Sequence, residues 1–327
     1  MSGNEKEQVS CFTLWIYGVK MIDILMATYN GEEYIAQQID SIIGQTFTEW
    51  RLLISDDCSQ DSTLSIIEKY ASRDDRIKII SNGVKYGSAK SNFFSLTAHA
   101  SADYVMFCDQ DDVWMSDKIA STYECMRTCE DGCPSYKPIM VFTDMAIVDS
   151  NLSTIADSFE LHSNIDISRT AFSRVLAQSL GAGCTMMINA PLLNCMKRTL
   201  VNDSIIMHDW WATIIASAFG AICHVDEPTS LYRQHEDNSV GASRYSPITR
   251  FLNKESMVDS VRLTIKQAAE FERQFGSYLS EGNRFSVATY ASIPERDLLG
   301  RLIALYKSGC WKKGMRKLGQ IYAIAKL

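Results

Sequence analysis

The chain has 327 residues, of which 46% are hydrophobic and 22% are charged. This composition is ordinary for a globular protein, and it argues against both a disordered chain and a protein with many membrane spans. The net charge of −7 argues against general nucleic-acid binding, because a phosphate backbone attracts a basic surface.

Residues 1–20 are predicted to be an extension ahead of the first strand. Their apolar run, residues 11–17, is too short to span a bilayer and follows Glu5 and Glu7, so it has the features of neither a signal peptide nor an anchor. The ten cysteines include no C-x-x-C pair, and we expect reduced, structural thiols in a reducing compartment. Cys125, Cys129 and Cys133 share one predicted helix, but their spacing does not match the usual zinc ligands.

From Met21 onward, apolar runs alternate with helical patterns. The predicted strands are 22–26, 50–54, 76–80 and 104–108, and the helices between them are 32–43, 62–71 and 89–98. Almost wholly apolar runs such as 104–108 are typical of strands that are buried on both faces. The pattern predicts an α/β domain over residues 21–244, with a mostly parallel, Rossmann-like central sheet whose strands end at one ligand-binding edge.

The second half of this domain is predicted to be mixed. Its predicted elements are strands at 139–148 and 181–188, a helix at 208–219, and two short strands at 221–225 and 231–234. Residues 245–327 have helical periodicity and form a predicted C-terminal helical tail. The last stretch, 311–325, is a basic amphipathic pattern, which either caps the globule or lies on a membrane surface.

Three carboxylates, Asp109, Asp111 and Asp112, come directly after the buried strand 104–108. Crowded carboxylates repel one another, and a hard cation with oxygen ligands such as Mg²⁺ or Mn²⁺ would stabilise them. A metal there would also bind a diphosphate. The alternative is that Asp112 caps a helix while its neighbours are solvated.

Polar residues also follow the first two strands. Thr28, Tyr29 and Asn30 follow the first, and Asp56 and Asp57 follow the second. An aspartate at a strand end can accept the imide N–H of uracil or thymine, or it can cap the following turn.

Asp209 opens the helix 208–219 and is followed by Trp210 and Trp211. The helix dipole favours a carboxylate at this point, so Asp209 could be a simple first-turn residue. Aromatic rings also pack on sugars, and a carboxylate can take a proton from an acceptor hydroxyl, so we favour a saccharide site. Arg233 and His235 are residue types that bind phosphate and metal, respectively, although a lone histidine is more often structural.

Taken together, these residues resemble glycosyltransferase family 2, whose members have the GT-A fold, and within it the bacterial rhamnosyltransferase-like members. The resemblance runs from Met21 to about Gly241 and rests on the order and spacing of several motifs. These are Ala27-Thr-Tyr-Asn-Gly31, Gln45-Thr-Phe47, Asp56-Asp-Cys-Ser-Gln-Asp61, residues 82–87, Asp109-Gln-Asp-Asp-Val-Trp114, Gly183-Cys-Thr185, His208-Asp-Trp-Trp211 and Tyr232-Arg-Gln-His235.

The resemblance implies a role for each matching position. Thr28, Tyr29, Asn30, Asp57, Asp109 and Arg233 would bind the nucleotide sugar, with Tyr29 and Asp57 at the base and Asp109 at the ribose. Asp111 and His235 would hold the metal, Asp209 would be the catalytic base, and Trp210 or Trp211 would face the acceptor. The chain departs from the family pattern at Cys58, where many relatives have glycine, and at Cys184, where many rhamnosyltransferases have asparagine or another small residue.

The resemblance therefore implies an inverting, Mg²⁺- or Mn²⁺-dependent hexosyltransferase at the cytoplasmic face of a membrane. The best match is transfer of L-rhamnose from dTDP-rhamnose to a hydroxyl of a bacterial surface polysaccharide precursor, either a glycan or a lipid-linked glycan. A different UDP- or dTDP-hexose donor stays open. A nucleotidyltransferase is disfavoured because no glycine-rich loop with Arg and Lys follows the first strand, and a non-catalytic scaffold would be expected to lack Asp111 or Asp209.

Overall fold

The computed structural model of this protein describes residues 20–81, 83–234 and 254–327. In this part of the chain the strands are β1 (Ile22–Thr28), β2 (Trp50–Asp56), β3 (Ile77–Ser81), β4 (Tyr104–Cys108), β5 (Val113–Trp114), β6 (Ile139–Val148), β7 (Thr154–Ala156), β8 (Met186–Asn189) and β9 (Ala221–Arg233). The helices are α1 (Ile35–Ile43), α2 (Thr63–Ala71), α3 (Ala89–His99), α4 (Lys118–Asp131), α5 (Phe159–Ser163), α6 (Phe172–Ala177), α7 (Ala190–Lys197), α8 (His208–Phe219), α9 (Lys254–Phe275), α10 (Glu281–Ala291), α11 (Leu298–Ser308) and α12 (Arg316–Lys326).

The strands form one mixed sheet in the order β3-β2-β1-β4-β8-β6-β9-β5, with β7 beside β6. Neighbouring strands from β3 to β4 are all parallel, as the alternating strand and helix pattern predicted. Beyond β4 the sheet changes character, because β8 runs antiparallel to both of its neighbours while β6 and β9 are parallel. The carboxyl ends of β1 to β4 therefore lie at one edge of the sheet, and the remaining strands form its mixed part.

Two predictions in the second half of the domain were wrong. The two short strands expected at 221–225 and 231–234 are one long strand, β9, whose register against β6 shifts where Asp144 faces Pro228. Proline has no N–H for the ladder, which explains why the sequence suggested a break there. The strand expected from 181 begins only at Met186, after a 3-10 turn at Gly183–Thr185.

Alternate residues along the strands face two separate cores. Ile24 and Met26 pack on one side with α1, α2 and α4, whereas Leu25 packs on the other with α3, α7 and α8. The C-terminal helices join this second core, because Phe271 of α9 and Ile324 of α12 are fully buried in it. No helix in the described ranges is long and apolar enough to cross a membrane.

The expectation that the cysteines are reduced was wrong for one pair. Cys129 of α4 and Cys223 of β9 form a disulfide, which joins the helix to the sheet across 94 residues of sequence. Cys125 and Cys133 remain free thiols beside it. These cysteines serve packing and cross-linking, and no metal cluster among the described residues includes them.

Candidate active site

The parallel register brings the predicted site residues to one edge. Thr28 at the end of β1 pairs with Asp56 at the end of β2, and Met26 pairs with Cys108 at the end of β4. The residues that follow these strands, Tyr29, Asp57 and Asp109, therefore leave the sheet side by side.

Gln110 connects two of these strand ends. Its side-chain amide accepts a hydrogen bond from the Tyr29 N–H and donates one to the Tyr29 carbonyl, each 2.9 Å long. The amide lies so close to Gly31 that a Cβ there would stand 2.4 Å from Gln110 Oε1. Only glycine fits at this position without moving Gln110, so Gly31 and Gln110 together set the approach of the β1 loop to the acidic motif.

The loop after β2 is shaped by buried polar contacts. The Thr28 hydroxyl donates to Asp56 Oδ1 (2.9 Å), and the other oxygen of Asp56 accepts from the Ser59 N–H (2.8 Å). Asn30 Oδ1 in turn accepts from the Gln60 N–H (2.8 Å). Thr28 is buried, so its contribution in this structure is to hold the loop, while Tyr29 is 51% exposed at the rim.

Asp57 holds the segment that follows β3. Its carboxylate accepts the backbone N–H groups of Tyr86 and Gly87, the latter at 2.9 Å. The side chain is almost buried between the ends of β2 and α3. The exposed ring of Tyr29 lies on the neighbouring strand end, and contact of Tyr29 and Asp57 with a nucleobase stays a prediction.

Asp109, Asp112 and Cys184 form the one cluster of potential metal ligands among the described residues, with one ligand atom from each within 4.8 Å of the others. Burial and the charge of Asp111 raise the pKa of Asp109 to about 7, and burial and the same charge raise the pKa of Asp112 well above its usual range. Asp112 Oδ2 is buried and has no hydrogen-bond partner among the residues that the structure describes.

These observations fit a hard divalent cation better than a bare acidic cluster. Two carboxylates with raised pKa values and one unpartnered buried oxygen are stabilised when a cation supplies the missing charge. Carboxylate oxygens suit Mg²⁺ or Mn²⁺, whereas the Cys184 thiol is a poor ligand for either. The alternative that Asp112 caps a helix is wrong, because Asp112 precedes β5 and α4 begins only at Lys118.

Lys118 lies beneath this cluster and is fully buried. Its Nζ donates to the Thr229 hydroxyl (3.0 Å) and lies 5.1 Å from the centre of the Trp114 ring. Burial lowers the pKa of Lys118 to about 8, although the nearby Asp112 carboxylate opposes that shift. A cation at this depth offsets part of the negative charge of the acidic motif.

Arg233 is placed differently from a solvent-facing phosphate ligand. It is 2% exposed, and its guanidinium donates to the Asp111 carbonyl (2.9 Å), the Ser150 carbonyl (2.6 Å) and Gln37 Oε1 (2.6 Å). Its backbone N–H also approaches Asp112 Oδ1 at 3.3 Å. The side chain therefore connects the acidic motif to α1 and to the turn after β6. Its role in this structure is to position the acidic motif.

Asp209 stands at the start of α8, across from the acidic motif. Its carboxylate accepts the N–H groups of Gly183 (2.9 Å) and Trp210 (2.6 Å). Burial raises the pKa of Asp209 to about 6 in spite of these two bonds. Gly183, whose N–H it accepts, directly precedes Cys184, whose Sγ lies within 4.8 Å of carboxylate oxygens of Asp109 and Asp112, so Asp209 lies beside the acidic cluster. A buried carboxylate with this pKa is suited to accept a proton near neutral pH.

The two tryptophans after Asp209 have separate roles. Trp211 is fully buried, donates to Thr199 and packs against Phe271, so its ring is not available to an acceptor. The prediction that Trp211 could face the acceptor was therefore wrong, because the helix turns that residue into the core. Trp210 is half-buried and donates to the Val175 carbonyl (2.7 Å), and it is the one of the pair left for an acceptor site.

His235 lies outside the described residues, so its predicted metal role stays a prediction. Sequence reasoning missed Gln110, Lys118 and the placement of Cys184 between two aspartates. Gln110 could have been noticed because it stands between two motif aspartates. Nothing in the local pattern distinguishes Lys118 from an ordinary first-turn lysine of α4.

Comparisons with known proteins agree with this geometry. Residues 23–144 match the family model described as glycosyl transferase family 2. The chain is 34% identical over 228 residues to a dTDP-rhamnosyl transferase, RfbG, of Shigella flexneri, which covers 67% of this chain and 74% of the relative. It is 26% identical over 182 residues to the Escherichia coli UDP-Glc:alpha-D-GlcNAc-diphosphoundecaprenol beta-1,3-glucosyltransferase WfgD, covering 53% of this chain and 62% of that protein.

Two solved structures are similar in fold. Residues 1–349 of S. aureus TarS in complex with UDP-GlcNAc superpose with a TM-score of 0.54 at 14% identity, covering 94% of this chain and 90% of that one. The mannosyltransferase PcManGT from Pyrobaculum calidifontis, in complex with GDP-Man and Mn²⁺, has a TM-score of 0.52 at 13% identity, with coverage of 98% and 93%. The predicted GT-A fold with C-terminal helices is confirmed.

Proposed function

Because this chain belongs to glycosyltransferase family 2 and is a glycosyltransferase, we propose that it is an inverting, divalent-metal-dependent hexosyltransferase that uses a nucleotide sugar. Our best assignment of the donor is dTDP-rhamnose and of the product a bacterial surface polysaccharide precursor. The name of the Shigella flexneri relative supports that donor. Another UDP- or dTDP-hexose is the second candidate, since the Escherichia coli relative is named for UDP-glucose.

The observation that carries the proposal is the position of Asp209. Its buried carboxylate, with a pKa raised to about 6, accepts the Gly183 N–H, and the next residue, Cys184, belongs to the cluster with Asp109 and Asp112. One base on one side of a reacting centre suffices for a single displacement, and a single displacement inverts the anomeric configuration.

In the proposed reaction, Asp209 accepts the proton of an acceptor hydroxyl while that oxygen bonds to the anomeric carbon. The bond from this carbon to the diphosphate oxygen breaks, and the nucleoside diphosphate leaves with the electron pair. Asp111 would hold Mg²⁺ or Mn²⁺, which when bound would offset the charge of the leaving diphosphate. His235 would add a further ligand.

The surrounding residues would orient the substrates. Tyr29 and Asp57 would contact the nucleobase, and Asp109 the ribose, with Thr28 and Asn30 shaping the loop between them. Arg233 would contribute by holding Asp111 through its carbonyl. Trp210 would lie under the acceptor sugar.

We further propose a lipid-linked glycan acceptor and a place at the cytoplasmic face of the membrane. The named acceptor of the Escherichia coli relative, a diphosphoundecaprenol glycan, supports that class. The acidic net charge of −7 supports the expectation that nucleic acid is not a partner.

Calorimetric titration with dTDP, UDP, GDP and ADP tests the proposed nucleotide preference and the proposed metal dependence in one experiment. We expect binding of dTDP or UDP with Mn²⁺ and its loss in excess chelator, because the clustered carboxylates need a cation to accept a diphosphate. Binding that is indifferent to chelator would contradict the metal assignment. No nucleotide binding under any condition would favour a non-catalytic scaffold.

A further inference from the structure

Cys184 is the member of the acidic cluster that a magnesium or manganese site does not explain. Its Sγ lies within 4.8 Å of a carboxylate oxygen of Asp109 and of one of Asp112, and the side chain is buried. Mg²⁺ and Mn²⁺ are hard cations that take oxygen ligands, and a thiolate suits neither of them. Two carboxylates with one thiol are instead a ligand set for Zn²⁺, which accepts sulfur and oxygen ligands together.

The spacing of the three donor atoms is close to that of a zinc site. Zn²⁺ binds sulfur at about 2.3 Å and carboxylate oxygen at about 2.0–2.2 Å, so the donor atoms of a tetrahedral site lie roughly 3.3–3.7 Å apart. The donors of Asp109, Asp112 and Cys184 all lie within 4.8 Å of one another. Small side-chain rotations are therefore enough to bring them around one ion, and the fourth tetrahedral position is left for water or an incoming ligand.

The backbone on either side of Cys184 is held in place. β8 runs antiparallel to β4, so the 3-10 turn that precedes β8 lies beside the residues that follow β4. The Gly183 N–H donates to Asp209 Oδ2 (2.9 Å). The Thr185 hydroxyl donates to the Ala182 carbonyl (2.7 Å). Cys184 thus stands between two anchored neighbours, as a ligand of a metal site should.

Asp112 provides independent evidence for a ligand at this place. Its side chain is fully buried, and its Oδ2 has no hydrogen-bond partner in the described part of the chain. Its Oδ1 accepts the Arg233 N–H at the long distance of 3.3 Å. A buried carboxylate oxygen without a partner is costly, and coordination of a metal is one of the ways in which proteins satisfy such a group. A cation bound at Oδ2 would remove this cost.

The charge of the cluster suits a divalent ion. Two carboxylates and one thiolate carry three negative charges, and the ammonium of Lys118, fully buried near Asp112, supplies one positive charge. A divalent cation supplies the other two. The ligands, Lys118 and the ion are then neutral together, which matters because uncompensated charge inside a protein is costly.

We propose that Asp109, Asp112 and Cys184 form a binding site for Zn²⁺. On binding, the Cys184 thiol releases its proton to solvent and its sulfur bonds to the ion. Asp111 lies between two of these ligands in the chain, so Zn²⁺ at this place competes with the Mg²⁺ or Mn²⁺ that Asp111 would hold, and it inhibits transfer. This competition rests on the proposed function, whereas zinc binding itself does not.

The test is titration of the purified full-length chain without nucleotide and without reductant, so that the Cys129–Cys223 disulfide stays intact. Zn²⁺ affinity is measured by competition with a chromophoric chelator, and Cd²⁺ serves as the spectroscopic substitute. We expect saturable binding and an ultraviolet charge-transfer band from thiolate to Cd²⁺. Cys184→Ser should abolish the band and weaken Zn²⁺ binding at least about tenfold, because even an outer partner of a metal ligand is worth that much. Asp109→Asn should weaken Zn²⁺ binding with the thiol still in place.

Cys125→Ser is the matched control, because Cys125 is a half-buried free thiol beside the disulfide and outside the cluster. It should leave both the cadmium band and the Zn²⁺ affinity unaltered. A band that persists in Cys184→Ser, or one that is lost equally in Cys125→Ser, would overturn the zinc site. Should Cys184→Ser fail to fold, an unchanged Zn²⁺ affinity in Asp109→Asn would overturn it as well.

Nucleotide binding separates the zinc site from the proposed function. Zn²⁺ should weaken the Mn²⁺-dependent binding of dTDP or UDP to the unchanged protein, and should weaken it less in Cys184→Ser. If no nucleotide binds with Mn²⁺ in the absence of Zn²⁺, the proposed function fails while the zinc titration keeps its meaning. Equal nucleotide affinity with and without Zn²⁺ in the unchanged protein would refute the competition.

Discussion

At the scale of single residues, Asp209 illustrates how burial sets chemistry. Its carboxylate lies at a helix N-terminus and accepts two backbone N–H bonds, both of which favour the charged form, yet burial still raises its pKa to about 6. The result is a base that is mostly ionised at neutral pH and still basic enough to accept a proton.

We expect Asp209→Asn to lower the transfer rate by about 100-fold or more while leaving nucleotide affinity nearly unchanged, because the amide keeps the shape but cannot take a proton. In the unchanged enzyme the rate should rise with pH through about 6 and then level off, since the base works only when deprotonated. Initial rates across pH and calorimetric nucleotide binding check both points. Asp203→Asn, on an exposed carboxylate of the preceding loop, is the control, and normal turnover by Asp209→Asn would refute the base assignment.

Cys58, in the loop after β2, has a backbone conformation that is unfavourable for a residue with a side chain. Its φ of 62° lies in the left-handed region, where a side chain is unfavourable and glycine is not. This explains physically why a glycine is expected at that position.

Cys58→Gly should therefore stabilise the protein by roughly 0.5–1 kcal/mol, the relief of left-handed strain less the extra flexibility of glycine in the unfolded chain. The same replacement at Cys125, inside α4, should destabilise by at least about 0.5 kcal/mol, because glycine weakens a helix interior. Denaturant unfolding of both variants measures the two effects. If the free energy of unfolding changed with the same sign in both variants, the backbone strain assigned to φ of Cys58 would be refuted.

At the scale of elements, the acidic motif depends on contacts between loops that are far apart in sequence. Gln110 ties this motif to the loop after β1, Arg233 ties it to α1, and Asp57 ties β2 to the segment before α3. The site is thus assembled by side-chain hydrogen bonds between separate elements rather than by one element.

Gly31→Ala and Gln110→Ala should each destabilise the protein, but not additively. The new Cβ at position 31 would stand 2.4 Å from Gln110 Oε1, which should cost about 1–3 kcal/mol, and loss of the two Gln110 bonds should cost about 0.5–1.5 kcal/mol each. With Gln110 shortened, the alanine at 31 has room, so the double variant should lose clearly less than the sum. A double-mutant cycle by denaturant unfolding measures this coupling, and strict additivity would contradict it.

At the scale of the whole molecule, the C-terminal helices share a core with the catalytic domain. Phe271 of α9 contacts Trp211 of α8, and Ile324 of α12 is buried in the same cluster. The boundary predicted between residues 244 and 245 separates two sequence patterns. The helices after this boundary bury side chains of the domain that precedes it.

Ile324→Ala should lower the free energy of unfolding by about 2–5 kcal/mol and should shift one common transition, because the tail and the sheet bury each other's surface. Leu318→Ala, on an exposed position of the same helix, should change it by less than about 0.5 kcal/mol. Circular dichroism and tryptophan fluorescence of the two variants check whether the transitions coincide. A separate early transition for the tail in Ile324→Ala would indicate an independent unit.

The alternation of apolar runs and helical patterns was sufficient to predict the parallel strands β1 to β4. It also predicted that the carboxylates following these strands lie at one edge of the sheet. Helix α8 was predicted with its observed bounds, because its period of apolar residues is strong and Asp209 stands in its first turn. These features are local, and local backbone preferences and periodicity are written directly in the order of residues.

Only the tertiary structure decided which side chains are buried and what they contact. Arg233 and Lys118 are polar residues that the fold encloses, Trp211 turns into the core while Trp210 stays half-buried, and β9 passes through the break expected near Pro228. Such outcomes depend on partners that lie tens or hundreds of residues away, such as Gln37 for Arg233 and Thr229 for Lys118. Burial and pairing of this kind are properties of packing between distant segments, and no window of sequence contains them.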